Sequence, residues 1–177
     1  GIEVRPTTAC QMATSGNIVF STTGGTIITD SDAGILAEVA GTATNMYTVL
    51  PGQTTYDNTS CGTVSGTASD QAVNSAFNIS QLVVTDQFGN IQLDYDNAGV
   101  TITYVYTGLG TPAFTSPASF TDGVATTTLT TTLDTADTGV TITADDGSLT
   151  GVASAAFDVT TVPPITGLIA EYQMEES

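Results

Sequence analysis

Leu82-Val83-Val84-Thr85-Asp86-Gln87-Phe88-Gly89-Asn90 runs from branched aliphatic residues straight into an acid and then a Gly-Asn pair. That is a strand stopping in a tight turn. The apolar stretch already begins at Phe77, so residues 77–85 read as one strand and 86–90 as its turn. Beyond the turn, 91–95 reads as a second strand. A third, at 100–106, alternates Val100, Ile102, Tyr104 and Tyr106 against threonines and Val105. A period of two is what a strand with one buried face requires. After a loop at 108–117 come a long threonine-rich strand at 124–133, a shorter one at 140–144, a tight turn at Asp145-Asp146-Gly147 and a closing strand at 152–160. Short strands, regular turn signals and no helical period predict an all-β sandwich.

Two further segments stand in order with the first. Thr121-Asp122-Gly123-Val124-Ala125-Thr126-Thr127-Thr128-Leu129-Thr130 has the form D-G-x-A-x-x-x-L-T, after the D-x-x-G-N of 86–90. Gly139-Val140-Thr141-Ile142-Thr143-Ala144 with 152–159 makes a closing hairpin. Together, over residues 78–160, these three elements resemble the bacterial immunoglobulin-like domains of the invasin and intimin type. The resemblance implies an Ig-like β-sandwich in an extracellular surface fibre, stalk or adhesin module, and implies no catalytic site. A fold by itself does not establish function.

Upstream, the resemblance stops and the pattern continues. Residues 17–22, 26–29, 35–39 and 46–50 are strand candidates, separated by Gly24-Gly25, 30–34, Gly41 and Pro51-Gly52. Residues 52–76 are polar and read as a loop carrying Cys61, with a weak strand at 62–66. The expected organisation is an extended arm at 1–16, a β-rich region at 17–77, the Ig-like sandwich at 78–162 and a tail at 163–177 beginning at Pro163-Pro164.

Composition removes whole classes of function. The 177 residues include 18 acids and one base, Arg5, with no His, Lys or Trp and a formal charge of −17. Without His or Lys there is no imidazole base, Schiff-base lysine, P-loop lysine or Ser-His-Asp triad. One arginine does not supply the positive surface that nucleic acid requires, and an anionic membrane surface repels such a chain. No apolar run reaches the roughly 18 residues of a membrane helix. A glycosidase needs two acids across a cleft, usually beside aromatic platforms, and nothing in the sequence pairs two acids in that way. Disorder is excluded too, because 40% of the residues are apolar and only 11% are charged. The expectation is a non-enzymatic, exported protein. Its start at Gly1 fits removal of a leader, and equally removal of a methionine.

Cys10 and Cys61 make an even pair, and a disulfide between them would close a loop of about 50 residues and contribute about 4 kcal/mol. The alternative is two buried free thiols. Asn58 and Asn78 stand in N-x-S/T sequons, which a chain with 36 threonines contains by chance. Asp30 with Asp32, and Asp94 with Asp96, place acids two apart before a glycine, a spacing suited to Ca²⁺. Both depart from the full EF-hand pattern, and the plain alternative is solvated turn acids. At −17, self-repulsion makes diffuse dependence on cations the broader expectation.

The termini carry the functional expectation. In the arm, Ile2, Val4, Thr8, Cys10 and Met12 alternate with polar residues, and Pro6 suits an edge or an inserted strand. Leu168, Ala170, Tyr172 and Met174 make a second candidate in the tail. Either suits β-strand addition, in which one subunit's extension completes another's sheet and repeated contact gives an open filament. The leading expectation is an extracellular, pilus-like homopolymer of this kind, with the arm as donor. Its alternatives are a monomeric Ig-like adhesin or binding module, or a virion decoration protein, with both termini folded back.

Overall fold

The computed structural model describes residues 41–161 apart from 58 and 61. Among them the fold is all-β, with thirteen strands and no helix. In chain order these are β1 (Asn45–Val49), β2 (Gln71–Ala72), β3 (Ala76–Ile79), β4 (Gln81–Thr85), β5 (Thr103–Tyr106), β6 (Ala113–Phe114) and β7 (Phe120–Thr121). They continue as β8 (Val124–Ala125), β9 (Leu129–Thr132), β10 (Asp137–Val140), β11 (Ile142–Asp145), β12 (Thr150–Val152) and β13 (Phe157–Thr160). Four sheets result, ordered β12-β1-β4-β8-β7, β10-β13-β2, β11-β5 and β3-β9-β6.

Two of the longest strands expected from sequence each change sheets partway. The 77–85 stretch becomes β3 and β4, parted at Ser80, whose N–H donates to the Val49 carbonyl 2.8 Å away. The 124–133 stretch becomes β8 and β9, parted at 126–128, where Thr126 N–H reaches the Ser119 carbonyl and Thr127 Oγ1 accepts from Ser119 N–H. The two stretches stay side by side throughout, antiparallel, with Val83 opposite Val124 and Ile79 opposite Leu129. Followed along the chain, this paired ribbon is roughly 30 Å at about 3.3 Å per residue.

The ribbon gives the unit two ends. At one end, Gly41 N–H donates to Asp86 Oδ2 at 2.9 Å and Thr44 N–H to the Thr85 carbonyl at 2.8 Å. At the other, Ala76 faces Thr132, Asn74 N–H reaches the Leu133 carbonyl, and Val73 N–H reaches the Thr160 carbonyl. The described chain thus enters beside the 86–90 turn and leaves at the opposite end of the ribbon.

Strands β1 and β4 are buried on both faces, which is why 46–50 and 82–85 read as near-continuous apolar runs. Met46, Leu50, Leu82 and Val84 face the larger core with Ile79, Leu129, Ile142 and Phe157. Tyr47, Val49 and Val83 face the other way, against Tyr56 and Ile91, with Val64, Val124 and Val152 at the rim. The 54–64 stretch is therefore a cover over the outer face of the five-stranded sheet. Because β1 is flanked by β12 and β4, the unit runs across the expected boundary at 77/78.

Other local expectations shift. Residues 91–95 do not form a strand: Ile91 makes one bridge to Thr85, and the chain turns as Tyr95 N–H reaches the Gln92 carbonyl. No strand forms at 62–66, where the cover is tied by Thr54 N–H to the Ser65 carbonyl. The 108–117 loop contains β6. Strands expected at 17–22, 26–29 and 35–39 lie outside the described residues.

Candidate functional site

The densest polar construction in the described unit is the 86–90 turn. Asp86 is fully buried, and each carboxylate oxygen accepts two hydrogen bonds. Oδ1 takes the N–H groups of Phe88 (2.8 Å) and Asn90 (3.0 Å), and Oδ2 takes Gly41 N–H (2.9 Å) and Asn90 Nδ2 (3.0 Å). Burial pushes this carboxyl up, but the Asn90 amide and the N–H groups of Gly41, Asn90 and Phe88 outweigh it and hold it below the usual value. A carboxylate held by four neutral donors needs no cation partner.

The cover docks on the same turn through two phenols. Tyr56 Oη donates to the Gly89 carbonyl at 2.7 Å and accepts from Gly62 N–H at 3.0 Å. Tyr47 Oη donates to the Gly62 carbonyl at 2.9 Å, and the two rings lie 4.9 Å apart. Burial pushes the Tyr56 hydroxyl up to about 12, so it stays a donor at any physiological pH. Gly89, at φ +83°, comes so close to Gly62 that a β-carbon there would clash with its amide nitrogen. One five-residue turn thereby holds both the entry of the chain at Gly41 and the cover at Gly62.

Most acids of the remaining turns accept hydrogen bonds from nearby groups. Asp96 Oδ1 accepts from Asp122 N–H at 2.8 Å, while Asp94 is exposed. Asp146 accepts from Tyr95 Oη at 2.7 Å and from the N–H groups of Ser148 and Leu149, both at 2.9 Å. Asp134 takes Thr111 N–H and Oγ1, and Asp137 takes Leu109 N–H, strapping the 108–112 loop. Among the described residues no group of three or more Cys, His, Asp or Glu is placed to hold a metal.

Asp137-Thr138-Gly139 is a single D-T-G triplet, on β10. An aspartic-protease dyad needs two carboxylates sharing a proton. Asp137 instead bonds the N–H groups of Thr138 and Leu109.

Of the residues singled out in the sequence, the structure places Asp94 and Asp96 in the turn after Ile91 and puts Asn78 on β3. Asn78 is exposed, and its Oδ1 accepts from Thr130 Oγ1 at 3.1 Å. Asp30, Asp32, Cys10, Cys61 and Asn58 lie outside the described residues. So do the donor candidates Ile2, Val4, Thr8 and Met12, and Leu168, Ala170, Tyr172 and Met174 in the tail. The pairing of Gly62 with Gly89 through Tyr47 and Tyr56 went unseen in the sequence. Its one signal was Tyr56, an aromatic residue inside a polar loop, nine positions after Tyr47. Comparison of the chain with protein-family models, with curated proteins and with solved structures finds no match.

Proposed function

We propose that this chain is the structural subunit of an extracellular, pilus-like filament, built on an Ig-like sandwich and polymerised head to tail by β-strand donation. The observation that supports it is the placement of the two ends of the described unit. Gly41 sits on Asp86 at one end of the 76–85/124–132 ribbon, and Thr160 sits by Val73 at the other. Segments joined to opposite ends of a unit suit head-to-tail contact between subunits, as an open, heterologous assembly requires. The arm at 1–16 supplies the alternation that a donated strand needs.

In this reading the arm presents Ile2, Val4, Thr8, Cys10 and Met12 to a neighbouring subunit, with 165–174 as the second donor candidate. A Cys10–Cys61 disulfide within one subunit would instead hold the arm back on its own cover, which Tyr47 and Tyr56 fix at Gly62. The protein is not an enzyme, and any Ca²⁺ dependence is the diffuse relief of charge. The alternative, a monomeric Ig-like adhesin or decoration module, requires both extensions to fold back on their own unit. Deleting residues 1–12 separates the two readings: polymer is lost under strand donation, and the state of the monomer is unchanged under fold-back.

A further inference from the structure

Strand β1 lines only one part of the 76–85/124–132 ribbon. It pairs with β4 as far as Val49 opposite Gln81, then turns off at Pro51-Gly52, where Gln53 N–H reaches the Leu50 carbonyl. Alongside β3 the described residues supply no such neighbour: β3 is the edge of its sheet, with β9 on its one occupied side. Two bonds fix which way its main chain points. The Thr130 carbonyl turns to the β6 side, accepting from Thr115 Oγ1 at 2.9 Å, so β9 meets β3 through Leu129 and Thr131, opposite Ile79 and Phe77. Ser80 N–H turns the other way, onto the Val49 carbonyl. The N–H and C=O groups of Ala76 and Asn78 therefore point out of the sheet edge, into the line that β1 vacates. On the inner side of this notch, Phe77 and Val73 pack on the core yet stay half-buried.

An unpaired strand edge is a template for one more strand. This one lies at the Ala76–Thr132 end of the ribbon, opposite Gly41, to which residues 1–40 are joined. A copy stacked head to tail brings its Gly41 end, and the chain before it, to this edge. Charge selects the segment. In a chain of formal charge −17 the arm at 1–16 is neutral, with Glu3 cancelling Arg5, whereas the tail at 163–177 carries Glu171, Glu175 and Glu176. Arg5, the chain's one base, also meets acids at this end: Asp70 and Asp158, tied by Asp158 N–H to Asp70 Oδ1 at 3.1 Å. We propose that the β3 edge at Ala76 and Asn78 is the acceptor for residues 1–12 of a neighbouring subunit, which add there as a strand in line with β1. The proposal rests on the filament reading and names its receiving site.

The test uses the full-length protein, by sedimentation velocity and by hydrogen exchange resolved to single amides. Asn78→Pro removes the outward N–H and no bond to β9, as a proline on a sheet edge does. Asn78→Ala keeps that N–H and loses only the side-chain bond to Thr130. Wild type and Asn78→Ala should polymerise, while Asn78→Pro loses at least tenfold of the polymer mass, with melting curves reporting its fold. In wild-type polymer the Ala76 and Asn78 amides should exchange at least tenfold more slowly than in monomeric Ile2→Asp. This exchange comparison decides if Asn78→Pro unfolds. Undiminished polymer in folded Asn78→Pro, or equal exchange of the two amides in polymer and monomer, overturns this acceptor and leaves the filament reading standing. Wild type that stays monomeric overturns both, and slow exchange of the two amides in that monomer assigns the edge to an extension of the same chain.

Discussion

The hydroxyl of Tyr56 reaches across 33 positions of chain to the carbonyl of Gly89, 2.7 Å away and buried. Through that bond and the one from Gly62 N–H, a cover segment with little strand pairing of its own is fastened to the turn that also receives Gly41. Tyr56→Phe keeps the ring but leaves the buried Gly89 carbonyl and Gly62 N–H without their partner. An unmet buried polar group costs about 1–3 kcal/mol, so thermal unfolding should shift down by several degrees. Tyr47→Phe removes one bond and should shift it less.

Gly89→Ala and Gly147→Ala make a matched pair. Both glycines have φ +83°, a conformation that costs an L-residue about 1–2 kcal/mol. Only at Gly89 does the added carbon meet backbone, whereas at Gly147 nothing lies within 4 Å. Denaturant titration should therefore show the Gly89 variant as the more destabilised by well over 1 kcal/mol. Equal losses would mean that the cover does not bear on the turn.

Asp86 gives a signed pH dependence. Its folded value lies below the ordinary one, so its contribution to stability is complete above about pH 4. That contribution is lost as pH falls through the lowered folded value. In the opposite sense, protonation of other carboxylates first relieves the repulsion of a −17 chain. Urea midpoints at low salt should rise from pH 7 to about 4.5 and then fall. Asp86→Asn should be destabilised at pH 7, with the gap to wild type closing as pH falls through the lowered folded value of Asp86.

Removal of residues 1–12 should abolish polymer while leaving the β-sheet signal and melting of the 41–161 unit in place. Ile2→Asp or Val4→Asp should act like the deletion, since an unpaired charge in an apolar groove costs several kcal/mol. Sedimentation of the purified variants reads this directly. Polymer retained after the deletion moves the donor role to Leu168, Ala170, Tyr172 and Met174.

The all-β class was legible because strand period and turn chemistry are local properties: 82–90 and 145–147 form the strand-to-turn and the turn their residues predict. Sheet membership was not. Residues 77–85 read as one strand, yet β3 and β4 lie in different sheets, because crossing is decided by which partner each half meets. The strand expected at 91–95 failed for a related reason, since Ile91 packs under the cover with Tyr56 rather than in a ladder. The Asp86 cluster was visible only as a turn. Gly41 N–H, 45 positions upstream, completes its carboxylate, and no local pattern marks that contact.

Negative-stain electron microscopy of the full-length protein, with and without a divalent-cation chelator, tests the central claim most directly. The account predicts long, uniform filaments with a constant axial repeat. Discrete small particles under every condition would contradict it.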